Sequence, residues 1–288
     1  MYTSPTVLTR RSTIRLDPND ILVFPALVFL VGCFLYPLFF VLIQSFQGSL
    51  FGEYLLIWRT PVFLKVIALT FRTAALVTVL CVLLGYVYAY AMCHANRKLL
   101  GLLMITLLVP FWVSLLLRTF SWMILLQDTG VINRVLIALG LVDQPLHLIR
   151  NTTGVVIGMV HVLLPYAVLP MYTVMRKIDV RMTEAARICG AGEIRAFVRV
   201  FLPLSLPGVL AAAIMCFTLS LGFYITPSLL GGPSNTMIGQ LIASEISDQL
   251  DFPFASALSV VLLVITAITF AVLGILMKGS RAKPKVAS

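Results

Sequence analysis

The chain has 288 residues, of which 60% are hydrophobic and only 11% are charged, and its formal net charge is +10. A soluble domain carries about 25% Asp, Glu, Lys and Arg, so this composition excludes a soluble enzyme and predicts a membrane protein. The basic residues are spread over polar stretches between apolar runs. That distribution indicates membrane topology rather than nucleic-acid binding.

Six apolar runs are each long enough to cross a bilayer, because about 20 apolar residues span its hydrocarbon core. They are predicted at residues 21–46, 71–92, 99–117, 153–174, 206–229 and 254–277. The sequence therefore predicts an all-α, polytopic membrane protein with six transmembrane helices. Its transmembrane domain covers residues 21–277, with a cytoplasmic N-terminal arm at 1–20 and a cytoplasmic tail at 278–288.

The distribution of basic residues predicts the orientation of the chain. With the N-terminus inside, fifteen of the 21 Lys and Arg residues lie on the cytoplasmic side and five lie outside. Because basic loops stay in the cytoplasm, both termini are expected there. Arg118 and Arg150 are assigned to the outer face, either as contacts for acids of a partner or as interfacial anchors. The loop between them, with Val131 and Val135 at helical spacing, is expected to hold a short interfacial helix.

The most polar segment of the chain, residues 176–203, lies between the fourth and fifth runs. Asp179 is a good N-cap for a first helix, and Gly190 is expected to end that helix. A second helix is predicted from Glu193 to Pro203, where the proline should stop it. The segment therefore predicts a helix-turn-helix on the inner membrane face, called the elbow below.

The elbow contains Glu184-Ala185-Ala186, then Gly190, then Val200-Phe201-Leu202-Pro203. This spacing resembles the signature loop of binding-protein-dependent ABC importer permeases, and only Val200, in place of isoleucine, departs from it. The resemblance implies the type I importer permease fold and a coupling helix that docks on a separate cytoplasmic ATPase. The expected coupling residues are Glu184, Ala185, Ala186, Arg187, Gly190, Leu202 and Pro203.

Five further segments are similar to the spermidine/putrescine class of these permeases: Pro110-Phe111-Trp112-Val113, Leu117-Arg118-Thr119-Phe120, Leu163-Leu164-Pro165-Tyr166, Leu169-Pro170-Met171-Tyr172 and Leu230-Gly231-Gly232-Pro233. The resemblance implies a bacterial inner-membrane protein paired with a second homologous permease, usually a different chain. It also implies two ATPase subunits below and a periplasmic substrate-binding protein above. Besides these proteins, membrane lipid is an expected partner. No nucleic-acid partner is expected.

The chain contains no GxxxxGK[ST] phosphate loop, so it is not expected to hydrolyse ATP itself. ATP and Mg²⁺ are expected on the partner ATPase, with no cofactor bound by this chain. The three histidines are far apart and no CxxC pair occurs, so no metal site is expected. The predicted spans hold no catalytic constellation, and the chain is expected to be a transport subunit rather than an enzyme.

No Asp or Glu falls within the predicted spans, so a cationic solute would have to rely on aromatic faces. The candidate pathway residues are Trp112, Tyr166, Tyr172, Ser220, Phe223 and Tyr224. The alternative for each of the aromatic residues is helix packing or an interfacial belt. His161 is expected to hydrogen-bond to a neighbouring helix, with a proton relay as the alternative.

The resemblance implies a polyamine or a related small organic cation as the solute, with opines or amino-acid derivatives as the alternative. A different class of protein, an ion-coupled secondary transporter, remains the rival interpretation. Against it stand the single six-span unit, the absence of an inverted repeat and the absence of acids in the predicted spans.

Overall fold

The computed structural model describes residues 18–47 and 51–281, and every regular element within those two ranges is helical. The predicted N-terminal arm and C-terminal tail lie mostly outside the described residues. The α-helices are α1 Pro18–Gln44, α2 Gly52–Arg59, α3 Pro61–His94, α4 Arg97–Trp112, α5 Leu115–Leu126, α6 Val131–Ala138, α7 Thr152–Met175, α8 Val180–Ile188, α9 Glu193–Ala196, α10 Leu202–Leu221, α11 Ile225–Leu230, α12 Ile238–Ser244 and α13 Phe252–Arg281.

Six helical segments are long and apolar enough to cross a membrane, which confirms the predicted all-α polytopic architecture. They are Phe24–Gln44, Pro61–His94, Leu115–Ala138, Thr152–Met175, Glu193–Leu221 and Phe252–Ala271. The short helix predicted in the loop between Arg118 and Arg150 is also present, as α6. Five of the six segments overlap the predicted runs over most of their length.

The third span is the exception, because the predicted run 99–117 is divided between α4 and α5. Val113 and Ser114 between these helices are extended, with ψ of 134° and 137°. Pro110 lies in the last turn of α4, where it has no backbone N–H to donate to the helix. The candidate span therefore begins at Leu115 rather than at Leu99.

The fifth predicted run, 206–229, is also interrupted. Helix α10 ends at Leu221, and the chain resumes helical structure at Ile225 in the short helix α11. Gly222 follows the last residue of α10, and Tyr224 precedes α11 with ψ of −35°. The break therefore lies at residues 222–224, before Pro227.

Helices α3, α7 and α10 form the centre of the bundle and bury its main apolar core. They approach closely because small residues stand at their crossings. A methyl group on Gly208 of α10 would lie 2.9 Å from Val174 Cβ and 3.1 Å from Met171 Cα of α7. Close backbone packing of this kind is typical of membrane helices, whose association depends on van der Waals contact. Helix α1 lies outside this centre and packs on α13.

Candidate functional site

The first arm of the elbow is α8, which is capped at both ends as its sequence predicts. The Asp179 carboxylate accepts a hydrogen bond of 2.9 Å from the backbone N–H of Arg181 at the N-terminal end. At the other end Gly190 has φ of +86°, its N–H donates to Arg187 O, and the N–H of Ala191 donates to Ala186 O. This is the Schellman arrangement, and it confirms that Gly190 terminates the helix.

The second arm does not end at Pro203, and this corrects the sequence prediction. Helix α9 continues through a π-helical turn at Phe197–Phe201 directly into α10, so that one helical segment runs from Glu193 to Leu221. The N–H of Leu202 donates to Phe197 O, five residues back. The wider turn changes the hydrogen-bond register immediately before Pro203, and the proline then occupies the first turn of α10, where its missing N–H costs little.

Continuity of this second arm matters for what the elbow can do. The elbow is joined to a bilayer-spanning helix without a flexible linker, so a displacement of α9 is carried into α10 as a rigid-body movement. Leu202 and Pro203 lie at that junction, with Leu202 half-buried and Pro203 exposed.

Five aromatic side chains pack together between the elbow and α3. We call this cluster the aromatic joint, and its members are Tyr86, Tyr90, His94, Phe197 and Phe201. The Tyr90 ring stands edge-on to Phe197 at 5.5 Å and to Phe201 at 5.3 Å between ring centroids. The two phenylalanine rings stack on each other at 5.7 Å. Such pairs are worth about 0.5–1.5 kcal/mol each beyond their buried area.

Sequence reasoning missed the aromatic joint, although a signal for it exists. Tyr86, Tyr90 and His94 stand four residues apart on one face of α3, and Phe197 and Phe201 have the same spacing on the elbow. The signal identifies two aromatic faces, but only the structure brings them together. The joint gives the elbow a second attachment, to α3, in addition to its continuity with α10.

A cavity of about 530 Å³ lies between the joint and α8, with Glu184, Arg187 and Glu193 among the residues that line it. Arg187 Nη2 and Glu193 Oε1 form an ion pair of 3.0 Å across the bend. Both side chains are exposed, so the pair contributes at most about 1 kcal/mol. Among the described side chains, Glu184 has no ion-pair partner.

The outer surface of α8 is unusual for a helix in a polar loop, because none of its residues is buried. Ile188 is 87% exposed and Ile194, at the start of the second arm, is 82% exposed. Ala185 is also exposed, which leaves a small-residue face beside the charges of Glu184 and Arg187. Large apolar side chains exposed in this way are typical of a surface that another protein covers.

The candidate pathway residues do not form one cluster in this chain. Tyr172 is only 7% exposed and lies within the main core, whereas Trp112 is 92% exposed at the end of α4. Tyr166 packs on Phe111 with 5.0 Å between ring centroids. Phe223 and Tyr224 lie in the break between α10 and α11, with Tyr224 the more exposed. Their role in a pathway therefore remains a prediction.

Ser220, the last candidate, has a distinct environment. It is fully buried near the end of α10, and its hydroxyl has no hydrogen-bond partner. Most serines in the described helices instead bond to a carbonyl in the preceding turn, as Ser121 does with Leu117 O. A fully buried hydroxyl without a partner is uncommon in folded proteins, and this one lies beside the helix break.

His161 hydrogen-bonds to a neighbouring helix, as the sequence analysis expects. Trp122 Nε1 of α5 donates to His161 Nδ1 of α7 at 3.0 Å. Since indole is only a donor, Nδ1 is the acceptor, and a neutral His161 ring carries its proton on Nε2. The bond occupies one of the two nitrogens that a proton relay would need, which favours the structural alternative.

Arg118 is not on the outer face, and this corrects its assignment from sequence. It lies in the third candidate span, on α5, near Tyr166 and His161 of α7. The division between α4 and α5 is the reason, because it places α5 beside the middle of the bundle. Asp128, in the turn after α5, likewise falls within that span's limits and pairs with the exposed His147 at 3.2 Å.

One acid outside the candidate spans is buried. Glu245, directly after α12, is 6% exposed, and its Oε1 accepts a hydrogen bond of 3.3 Å from Gln249 Nε2. Burial, together with the nearby charge of Asp251, raises the pKa of Glu245 above its ordinary value. The charged form is therefore disfavoured at this position.

Comparison with known proteins gives consistent results for sequence and structure. The family described as "Binding-protein-dependent transport system inner membrane component" matches residues 82–282. The spermidine/putrescine transport system permease protein PotB of Escherichia coli (strain K12) is 33% identical over 205 residues, which are 71% of this chain and 74% of PotB.

Two solved structures share the fold. A bacterial ABC transporter involved in the import of the acidic polysaccharide alginate has a TM-score of 0.70 at 16% identity, covering 92% of this chain and 97% of that one. A bacterial alginate ABC transporter in complex with an alginate pentasaccharide-bound periplasmic protein has a TM-score of 0.67, also at 16% identity, covering 87% and 91%.

Proposed function

Because this chain belongs to the family of binding-protein-dependent transport system inner membrane components, we propose that it forms the membrane pathway for a polyamine or a related small organic cation. As a member of that family it is the permease subunit of an ABC importer and a multi-pass protein of the inner membrane. It is not an enzyme, and ATP is hydrolysed by a separate ATPase. The rival interpretation, an ion-coupled secondary transporter, is thereby excluded.

The observation that supports a polyamine as solute is the similarity to PotB, which extends over 71% of the chain at 33% identity. The exposed aromatic rings Trp112 and Tyr224 would supply cation–π contacts of about 0.5–2 kcal/mol each to an ammonium group. The bonded, neutral form of His161 adds no positive charge to the bundle. The buried hydroxyl of Ser220 would accept from an ammonium that enters the break after α10.

The proposed assembly contains a second homologous permease of a different chain, two cytoplasmic ATPase subunits that bind ATP and Mg²⁺, and a periplasmic binding protein. The coupling site is the elbow, where Glu184, Ala185, Ala186 and Arg187 would dock on an ATPase and Gly190 would set the angle between its arms. Leu202 and Pro203 would transmit the movement into α10. The exposed apolar side chains of α8 and α9 support this role.

We expect the assembled importer to take up spermidine in an ATP-dependent manner and putrescine to compete for that uptake. The measurement is uptake of labelled spermidine into proteoliposomes that contain the whole importer and its binding protein. An opine, which carries carboxylates, serves as the competing solute from the alternative class. Competition by the opine and not by putrescine would contradict the polyamine proposal while leaving the importer role intact.

We also propose that both termini and the elbow lie in the cytoplasm. Cys189 is an exposed free thiol at the bend of the elbow, and it provides a native probe for this orientation. In a variant that keeps only this cysteine, a membrane-impermeant maleimide is expected to label inverted vesicles and not intact spheroplasts. The control replaces Cys189 and introduces S234C in the exposed loop that is proposed to lie outside. It should be labelled in intact spheroplasts and not in inverted vesicles. Labelling of Cys189 from outside would overturn the orientation.

A further inference from the structure

Arg118 carries a charge that the described chain does not balance. Its Nε atom is buried and has no hydrogen-bond partner, while the residue as a whole keeps part of its surface exposed. Among the described side chains, the Arg187–Glu193 ion pair and the Asp128–His147 contact both lie elsewhere. The guanidinium therefore reaches the surface of this chain without a counter-ion.

The depth of Arg118 in the membrane follows from the contacts on either side of it. Seven residues before it, Phe111 packs on Tyr166, and four residues after it, Trp122 bonds to His161. Arg118 thus lies beside the part of α7 between residues 161 and 166. Helix α7 runs from residue 152 to 175, about 36 Å at 1.5 Å per residue, and its midpoint is between residues 163 and 164.

At this depth an arginine cannot face lipid, because a charged side chain at the bilayer centre is paired or faces the interior of an assembly. Among the described residues no acid pairs with Arg118, so a second protein that presents a carboxylate at this depth would satisfy its charge.

We propose that Arg118 binds a carboxylate side chain of the second permease subunit, within the membrane, and that this ion pair holds the two permeases in register. The inference rests on the proposed pairing of two permeases. A carboxylate from the solute is the less suitable source, because the proposed solute is a cation that an unpaired arginine would repel. Once paired, Arg118 is neutralised and no longer opposes the passage of a cation.

The test compares R118E and R118K with R134Q, a control at an exposed arginine in α6 of the same candidate span. Each variant is co-expressed with a tagged second permease, and the amount of this chain recovered with the tag is measured. Loss of a buried charge pair weakens association by about 2 kcal/mol or more, so R118E should lower recovery at least about 30-fold. R118K should keep most of the recovery of the unchanged chain, and R134Q should keep all of it.

A charge-swap series identifies the partner group. Each Asp and Glu in the membrane helices of the second permease is replaced by lysine in turn, and one replacement is expected to restore the recovery of R118E. Thermal unfolding of the R118E chain alone, compared with the unchanged chain, separates loss of pairing from loss of folding. A folded R118E chain with low recovery supports the proposal.

Three results would overturn it. Full recovery of R118E would show that no carboxylate of the second permease meets Arg118. Normal recovery with lost uptake, together with a raised KM for a carboxylate-bearing solute, would assign the site to the solute. Low recovery that no charge swap restores would exclude an ion pair. Co-purification of the unchanged chain with the second permease is measured first. If the two do not co-purify, the permease pairing in the proposed function is wrong, whatever the role of Arg118.

Discussion

Replacing Gly190 by threonine is expected to reduce ATP-driven uptake at least about tenfold, because the bend of the elbow needs a left-handed residue. Gly190 has φ of +86°, a conformation that costs an ordinary L-residue about 1–2 kcal/mol and a β-branched one more. A Cβ at this position would meet no atom within 4 Å, so steric contact is not the cause. The strain alone would change the angle between α8 and α9.

Gly192 provides a matched control two residues later. It has φ of −61°, and a Cβ there would likewise meet no atom within 4 Å. It is the N-cap of α9, a position where threonine is about as favourable as glycine. Uptake by G192T should therefore stay within about twofold of the unchanged importer. Equal uptake by both variants would show that the bend at Gly190 is not required for coupling.

Reversing the charge of Glu184 is the second change with a large expected effect, and its target is the docking of the ATPase. Glu184 is exposed and has no ion-pair partner among the described side chains, so E184R should change the stability of the chain itself by less than about 0.5 kcal/mol. A like charge placed against a complementary partner costs several kcal/mol. We expect the ATPase recovered with the permease to fall at least about 30-fold.

The measurement is co-purification of the ATPase, followed by ATP hydrolysis stimulated by the loaded binding protein. D143R, at an exposed acid between α6 and α7, is the control and should leave both quantities unchanged. E184Q removes the charge without reversing it. Its ATPase recovery and its stimulated ATP hydrolysis should lie between those of E184R and D143R. Normal ATPase recovery by E184R would contradict a docking role for this residue, whatever its effect on uptake.

The two variants separate two properties of the elbow. E184R acts on the surface that would contact the ATPase, whereas G190T leaves that surface intact and changes its angle to α10. If the elbow works as a rigid connection, we expect G190T to bind the ATPase normally but to transmit the movement of the ATPase poorly to α10. The aromatic joint adds to this rigidity, because it holds the second arm against α3 as well as α10.

Much of the molecule was determined by the sequence alone, wherever residues close in the chain decide the structure. Long apolar runs predict the spans because the backbone must satisfy its own hydrogen bonds in lipid. The caps of α8 depend on Asp179 and Gly190, each acting within a few residues, and both were predicted correctly. The spacing of Glu184-Ala185-Ala186, Gly190 and Leu202-Pro203 is sufficient to identify the family.

Only the tertiary structure decided features that depend on the register between distant helices. A continuous third span predicts Arg118 at the outer face, whereas the break at Val113 and Ser114 places it beside the middle of α7. Pro203 was expected to end a helix that a π-helical turn instead carries on. The aromatic joint connects residues more than a hundred positions apart. Local propensity cannot determine such register, because it results from the packing of whole helix faces.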